Sequence, residues 1–359
     1  MKWYKTIDFY ISKKYLGTFF FAIGLILSIA IIFDISENLD DFISKEIPTK
    51  AIVFEYYLNF IPYFGNLFAP LFTFIAVIYF TSKMAYNTEI IAILSSGVSY
   101  SRLMRPYMVS ATVITAMSFA LGNFIIPPAN AKMINFKDHY IKSRAVGNQR
   151  DIHRQIEPGV YIYMQSFNTN NVGYRFTLER FDGAKLVEKI TAQNIRWDEE
   201  NKTWIINSYW KRIIHEDYEE IEKGYRLDTA LNMSPKDFVV LKNEMETYKT
   251  PALIKEIKDM KMRGINAVEW EIEKHQRMSN PFSTFILTII GVSLASRKIK
   301  GGLGFHLGLG LLLAFSYILF LQISTVFAIN GGTPPGIAVW IPNFVYSVIA
   351  FFLYRWAAR

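Results

Sequence analysis

An α-helical membrane protein with six spans and an all-β domain inserted outside the membrane is the fold class this chain predicts. Three observations carry the prediction. Hydrophobic residues make up 51% of the 359 positions and aromatic residues 16%, which is too apolar for a disordered chain. Six apolar runs have about the 20 residues that a helix needs to cross a bilayer. Between the third and fourth runs lies an insert from about 128 to 278, long enough for a domain of its own, whose middle alternates apolar and polar residues as strands do.

Lys2, Lys5, Lys13 and Lys14 precede the first run and resemble the charged start of a signal peptide. The run is long and lacks a small-residue cleavage site, so it reads as an uncleaved span near 16–35. The second span, near 53–82, carries Pro62 and Pro70, which a membrane helix tolerates where neighbours satisfy the freed carbonyls; a kink is expected. After it, KMAYNTEIIAILSSGVSYSRLMRP (83–106) predicts a short amphipathic helix at about 88–96. Asn87 or Thr88 caps its start, Glu89 suits the positive end of the helix dipole, and Gly97 ends it in the left-handed conformation. Ile90, Ile91 and Leu94 form an apolar ridge on one face, and three burial partners are open to it: lipid, the protein's own spans, or a groove on a soluble partner. The third span lies near 107–127.

Strands are predicted at 160–167, 173–181, 184–192, 203–214 and 222–233, with Asp182-Gly183 as a hairpin turn and Glu200-Asn201-Lys202 as a second turn. Short strands in series without intervening helices imply an antiparallel sandwich, a jelly roll or an open half-barrel. Val160, Ile162 and Met164 alternate with Tyr161, Tyr163 and Gln165, and Ile206 and Trp210 lie on a later strand. A packed core and an open apolar trough would use the same residue types. After Ser234-Pro235 the pattern turns helical over 251–277, broken near Gly264, and spans follow near 280–296, 303–327 and 337–354. The division expected is 1–127 for spans one to three, 128–250 for the β domain, 251–279 for a helical connector, and 280–359 for spans four to six.

Six crossings return both termini to one side. Twelve Lys and Arg lie at the N-terminus, in the 83–106 loop, in the 297–300 turn and in the tail, whereas the opposite short loops hold only Lys45 and Lys50. The positive-inside rule makes the first side cytoplasmic. The net charge of +8 is spread over span ends and the insert, so no nucleic-acid surface is expected.

The chain has no cysteine, no GxxxxGK[ST] phosphate loop, no HExxH pair among His139, His153, His215, His275 and His306, and no GxSxG elbow. Neither a metal site, a cofactor nor a catalytic group is expected. Asp34, Glu37, Asp40 and Asp41 form an acidic cluster at the outer end of span one, read as a solvated face or as a holder for a divalent cation beside lipid.

This arrangement resembles the LptF/LptG (YjgP/YjgQ) lipopolysaccharide-export permeases. The likeness rests on the three-plus-three topology, the 83–106 loop with Glu89 through Gly97 and Arg102 to Pro106, and the segments IDFYI (7–11), EPGVYIYM (157–164) and SPKDF (234–238). The opening and the 83–106 loop look closer to LptG. The resemblance implies a permease subunit of an ABC-type exporter in the inner membrane, with both termini cytoplasmic and the β domain periplasmic and jelly-roll-like, open along one side. It implies an LptB-like ATPase dimer that binds the ATP, a second LptF/LptG-type permease, LptC-like and LptA-like periplasmic proteins, and lipopolysaccharide as cargo. Glu89, Ile90, Ile91, Leu94, Gly97 and Arg102 would couple to the ATPase. Val160, Ile162, Met164, Ile206 and Trp210 would line the lipid path, and Ile32 and Thr325 would mark a lateral gate between spans one and five. Span one has Gly17 and Gly24, and span five opens with Gly301, Gly302, Gly304, Gly308 and Gly310, small residues that suit a seam between helices. Where the family often places basic residues near the outer end of span one, this chain has carboxylates, leaving Lys45, Lys50, Lys132 and Lys137 as candidate lipid-phosphate contacts. Two other readings remain: a membrane-bound lipid-modifying enzyme and a non-transporting envelope scaffold.

Overall fold

The computed structural model describes residues 6–141, 149–168, 170–238, 244–262, 265–297 and 302–359. Lys2, Lys5, Gly264, Lys298, Lys300 and Gly301 lie outside the described residues, as does the side chain of His306. The chain divides into two compact units, residues 1–141 with 245–253 and 268–359, and residues 142–244 with 254–267.

The first unit contains six helices of membrane-spanning length: α1 (Thr6–Ser44), α2 (Thr49–Tyr86), α4 (Tyr100–Ile141), α6 (Val268–Ala295), α7 (Gly302–Ile329) and α8 (Pro335–Ala357). The short helix α3 (Glu89–Ser95) joins α2 to α4. Each of the six spans extends past its apolar run. The third helix continues to Ile141 and the fourth begins at Val268, so the stretch expected as a connector at 251–279 holds a separate helix, α5 (Thr250–Met262), and then the first turns of the fourth span helix. Wide turns at Ile52–Tyr57 and Leu121–Ile125 loosen α2 and α4, the second just before Pro127 and Pro128, which donate no backbone N–H.

α6 forms the centre of this unit. Two thirds of its apolar window is buried within the chain, against 6% for α1, so α1 leaves nearly all of its apolar face uncovered. One core cluster joins α1, α2, α3 and α4 through stacked Tyr15, Phe80 and Tyr107 rings, 5.7 and 5.3 Å between successive centroids. A second joins α2, α6, α7 and α8 around Phe74, Ile290, Tyr317 and Tyr346. A Cβ on Gly310 would sit 2.2 Å from Ile78 Cδ1, so α7 meets α2 closely there; Gly17, Gly24, Gly304 and Gly308 face open space.

The second unit is a single six-stranded antiparallel sheet in sequence order, β1 (Gln149–Glu157), β2 (Val160–Phe167), β3 (Val172–Asp182), β4 (Lys185–Asp198), β5 (Thr203–Ile214) and β6 (Glu219–Thr229). It is an up-and-down meander rather than two packed sheets. Strand β1, QRDIHRQIE, was not expected, because an edge strand this polar lacks the alternation that marks a strand in sequence. Gly183 takes φ +62 in the β3–β4 hairpin, and Gly159 takes φ +79 where a Cβ would meet Phe181 O at 2.7 Å. The sheet curls until Phe167 on β2 reaches Trp204 on β5, 6.2 Å between ring centroids, although two strands separate them. Phe238, in the SPKDF turn, packs on both rings, and the Trp204 indole N–H donates to Met233 O at 2.9 Å.

Candidate functional site

Thr88, just before the first residue of α3, adopts a left-handed φ of +59 and makes no side-chain cap, so neither expected capping residue acts as one. Gly97 does take the left-handed conformation, φ +87. The ridge divides in two. Ile90 is 1% exposed and packs into the chain's own core with Leu94 at its edge, whereas Ile91 is 48% exposed. The outward face is therefore Ile91, Ala92, Ser95 and Ser96, and the first two expected ridge residues point in different directions.

Two polar contacts clamp this loop to the start of α1. Arg102 donates to both carboxylate oxygens of Asp8 at 2.6 Å, and Asp8 is 2% exposed. The Tyr10 hydroxyl donates to Glu89 at 3.0 Å. Both α1 partners lie in the IDFYI segment. A bidentate guanidinium–carboxylate pair fixes orientation as well as distance, so Arg102 holds α4 to α1 rather than facing outward as a free contact. Sequence reasoning missed Asp8 and Tyr10; the one signal available was a carboxylate inside an otherwise apolar stretch.

At the other end of α1, Asp34 is not a solvated carboxylate. It accepts from the Tyr56 and Tyr57 hydroxyls, each at 3.0 Å. Among the described residues no group of three His, Asp or Glu gathers to share a metal ion. Of the four candidate lysines, Lys45 pairs with Asp41 at 3.0 Å and donates to Ile141 O, and Lys137 lies over the Tyr56 ring at 5.2 Å. Lys50 and Lys132 are exposed. Ile32 is exposed on α1, and Thr325 is half-buried with its hydroxyl donating to Leu321 O.

Inside the sheet, Val160, Ile162, Met164 and Ile206 are buried together with Phe176, Leu178 and Ile195. Trp210 is not among them. It is 54% exposed on the opposite face, with Lys223 Nζ 3.8 Å from its ring centroid. The reason is a line of left-handed residues across the sheet. Asp151, Arg175 and Ser208, φ +53, +50 and +50, occupy one cross-strand row with Gln165, Gln193 and Tyr225. The inward parity changes at that row on four strands: Met164 then Phe167, Phe176 then Gly173, Ala192 then Ile195, and Tyr209 then Ile206. Tyr209 therefore takes the buried place that a strict period assigns to Trp210.

A buried polar knot also lies within the first unit. Arg277 on α6, 7% exposed, donates to Glu273 Oε1 at 2.7 Å, to Tyr248 O at 2.7 Å and to Met245 O at 3.1 Å. Asn130 donates to Glu246 at 3.1 Å, and Thr250 to Asn123 at 2.7 Å. Burial and then the nearby negative charge of Glu273 push the Glu246 carboxyl up to about 7.

Among the described residues, six membrane-length helices, an antiparallel sheet inserted between the third and fourth, and a short loop helix tied to the first span define a multi-pass membrane protein with an inserted β domain. The chain belongs to the LptF/LptG family: residues 9–356 match the model described as lipopolysaccharide export system permease LptF/LptG. No curated protein matches the chain. It is thus a lipopolysaccharide export permease, an inner-membrane protein, and a component of the Lpt export system.

Proposed function

We propose that this permease is one half of an ABC-type exporter that draws lipopolysaccharide from the outer leaflet of the inner membrane and passes it to a periplasmic bridge. An LptB-like ATPase dimer binds the ATP and receives the outward face of α3. The clamp between α3, α4 and α1 carries this reading: through Tyr10–Glu89 and Asp8–Arg102, a force on the loop helix reaches the span whose apolar face is least covered. Both termini and α3 are cytoplasmic in this reading, which the Lys and Arg distribution supports. A second LptF/LptG-type permease covers α1 and α7, and lipid enters at their outer ends, near Ile32 and Thr325. The apolar interior of the sheet, lined by Val160, Ile162, Met164 and Ile206, receives the acyl chains, and LptC-like and LptA-like proteins continue the path. Of the candidate cations, Lys50 and Lys132 are available to lipid phosphates.

Ile91 supplies the test, because it is exposed and its replacement leaves the core intact. Ile91→Asp would bury an unpaired carboxylate in the ATPase groove at a cost of several kcal/mol. The ATPase is expected to be lost on co-purification, while the permease remains folded in the membrane. Wild-type recovery and lipid-stimulated hydrolysis with Ile91→Asp would place the coupling contact elsewhere.

A further inference from the structure

An open groove of about 790 Å³ runs between α4, α6 and α8, within the roughly 300–1,000 Å³ of small-molecule sites. Its walls are apolar, formed by Met108 and Val109 on α4, Phe285 and Ile289 on α6, and Phe351 on α8. Its charged residues gather at one end, where Arg102 and Arg105, with Ser101, occupy the first two turns of α4 beside Asp8; Ser347 on α8 lines it further in and donates to Asn343 O. From Ser101 to Val109 the helix rises about 12 Å, so the polar end sits at a span terminus and the apolar walls reach into the bilayer.

The charge at the mouth is uneven. Asp8 and Arg102 satisfy each other, whereas Arg105 is exposed and has no ion-pair or hydrogen-bond partner among the described residues. A guanidinium held above an apolar slot matches a phosphate joined to an acyl chain. We infer that this groove binds an anionic phospholipid, its headgroup on Arg105 and one chain between α4, α6 and α8. The inference goes beyond transport, needing only that the six helices span the membrane. The exported cargo is not the occupant. Asp8 and Ile32 lie 24 residues apart on α1, about 36 Å, which exceeds the roughly 30 Å hydrocarbon thickness, so the groove opens in the leaflet opposite the gate. An intercalated partner helix would leave the Arg105 charge unmatched.

Native mass spectrometry of the full-length protein, titrated in detergent with palmitoyl-oleoyl phosphatidylglycerol or the phosphatidylcholine of the same chains, tests this. One saturable phosphatidylglycerol adduct is expected, with phosphatidylcholine weaker. Arg105→Ala should weaken the adduct about tenfold, Arg105→Lys should keep most of it, and Val109→Trp should remove it by filling the slot. Arg355→Ala, at another cation of the same membrane face, should change nothing. Equal affinity for the two lipids, or wild-type retention in Arg105→Ala or Val109→Trp, overturns the inference. So does a photo-crosslinker at Val109 that captures protein instead of phospholipid in the assembled membrane.

Discussion

Asp8 shows what a single side chain decides in this protein. A carboxylate that is 2% exposed is tolerable only with its partner, and Arg102 supplies two hydrogen bonds from a residue three-quarters buried. Arg102→Gln should therefore destabilise the protein by about 3 kcal/mol, since it leaves an uncompensated buried charge. Asp8→Asn combined with Arg102→Gln should recover most of that loss. Melting temperatures in detergent for the two single variants and the double variant check the pair; additive losses would mean that the residues act independently. Glu246 makes the opposite prediction in pH. Its carboxyl is raised from 4.5 to about 7, so the folded protein holds a proton that the unfolded chain has released across that window. Its contribution to stability is thus largest below pH 4.5 and is lost as pH rises towards 7, by up to about 3 kcal/mol before screening. Glu246→Gln should flatten this dependence, and unfolding curves at pH 5 and pH 8 measure it.

Among the elements, β5 carries the clearest consequence, because its inward face changes at Ser208. A photo-reactive residue at Ile162, Met164 or Ile206 should capture lipid in an ATP-dependent way, while one at Trp210 or Tyr161 should not. Equal labelling at Ile206 and Trp210 would contradict a one-sided path. For α3, seven residues are too few to hold a helix in water without tertiary support. Its stability comes from Ile90 in the core and from the contacts to α1, which is why Ile90→Asp should unfold the loop whereas Ile91→Asp should only release the ATPase.

At the scale of the whole molecule, the surfaces left uncovered are where the proposed second permease would dock. The apolar windows of α1 and α7 are only 6% and 22% buried within the chain, and Gly17, Gly24, Gly304 and Gly308 on them face nothing. Small residues permit close helix approach with few interlocking contacts, as a seam that opens and recloses requires. Ile32→Cys in one permease and Thr325→Cys in the opposed one should form a disulfide, since the chain has no other cysteine and bonding needs Cα atoms within about 7 Å. Oxidation should stop lipid release and reductant should restore it. Export at the uncrosslinked rate would make the seam a static interface.

The elements whose physics is local were legible in the sequence. Six apolar runs had to be spans because an unsatisfied peptide group in hydrocarbon costs too much for any other structure. Strands 160–167 and 203–214 followed from alternation, and Gly97 and Gly183 from the left-handed turns that glycine favours. What the sequence could not determine was which partner each side chain meets. Asp8 and Arg102 are 94 positions apart, Asp34 turns from water to Tyr56 and Tyr57, and Ile90 and Ile91 part company only because α1, α2 and α4 converge on one of them. Ser208 carries no signal of its left-handed backbone, since serine has no preference for it; the conformation goes with its place in a row shared with Asp151 and Arg175, where the strand pairing is interrupted. Periodicity reports the average environment of a strand or helix. Which residue breaks the period depends on neighbours brought together by the fold.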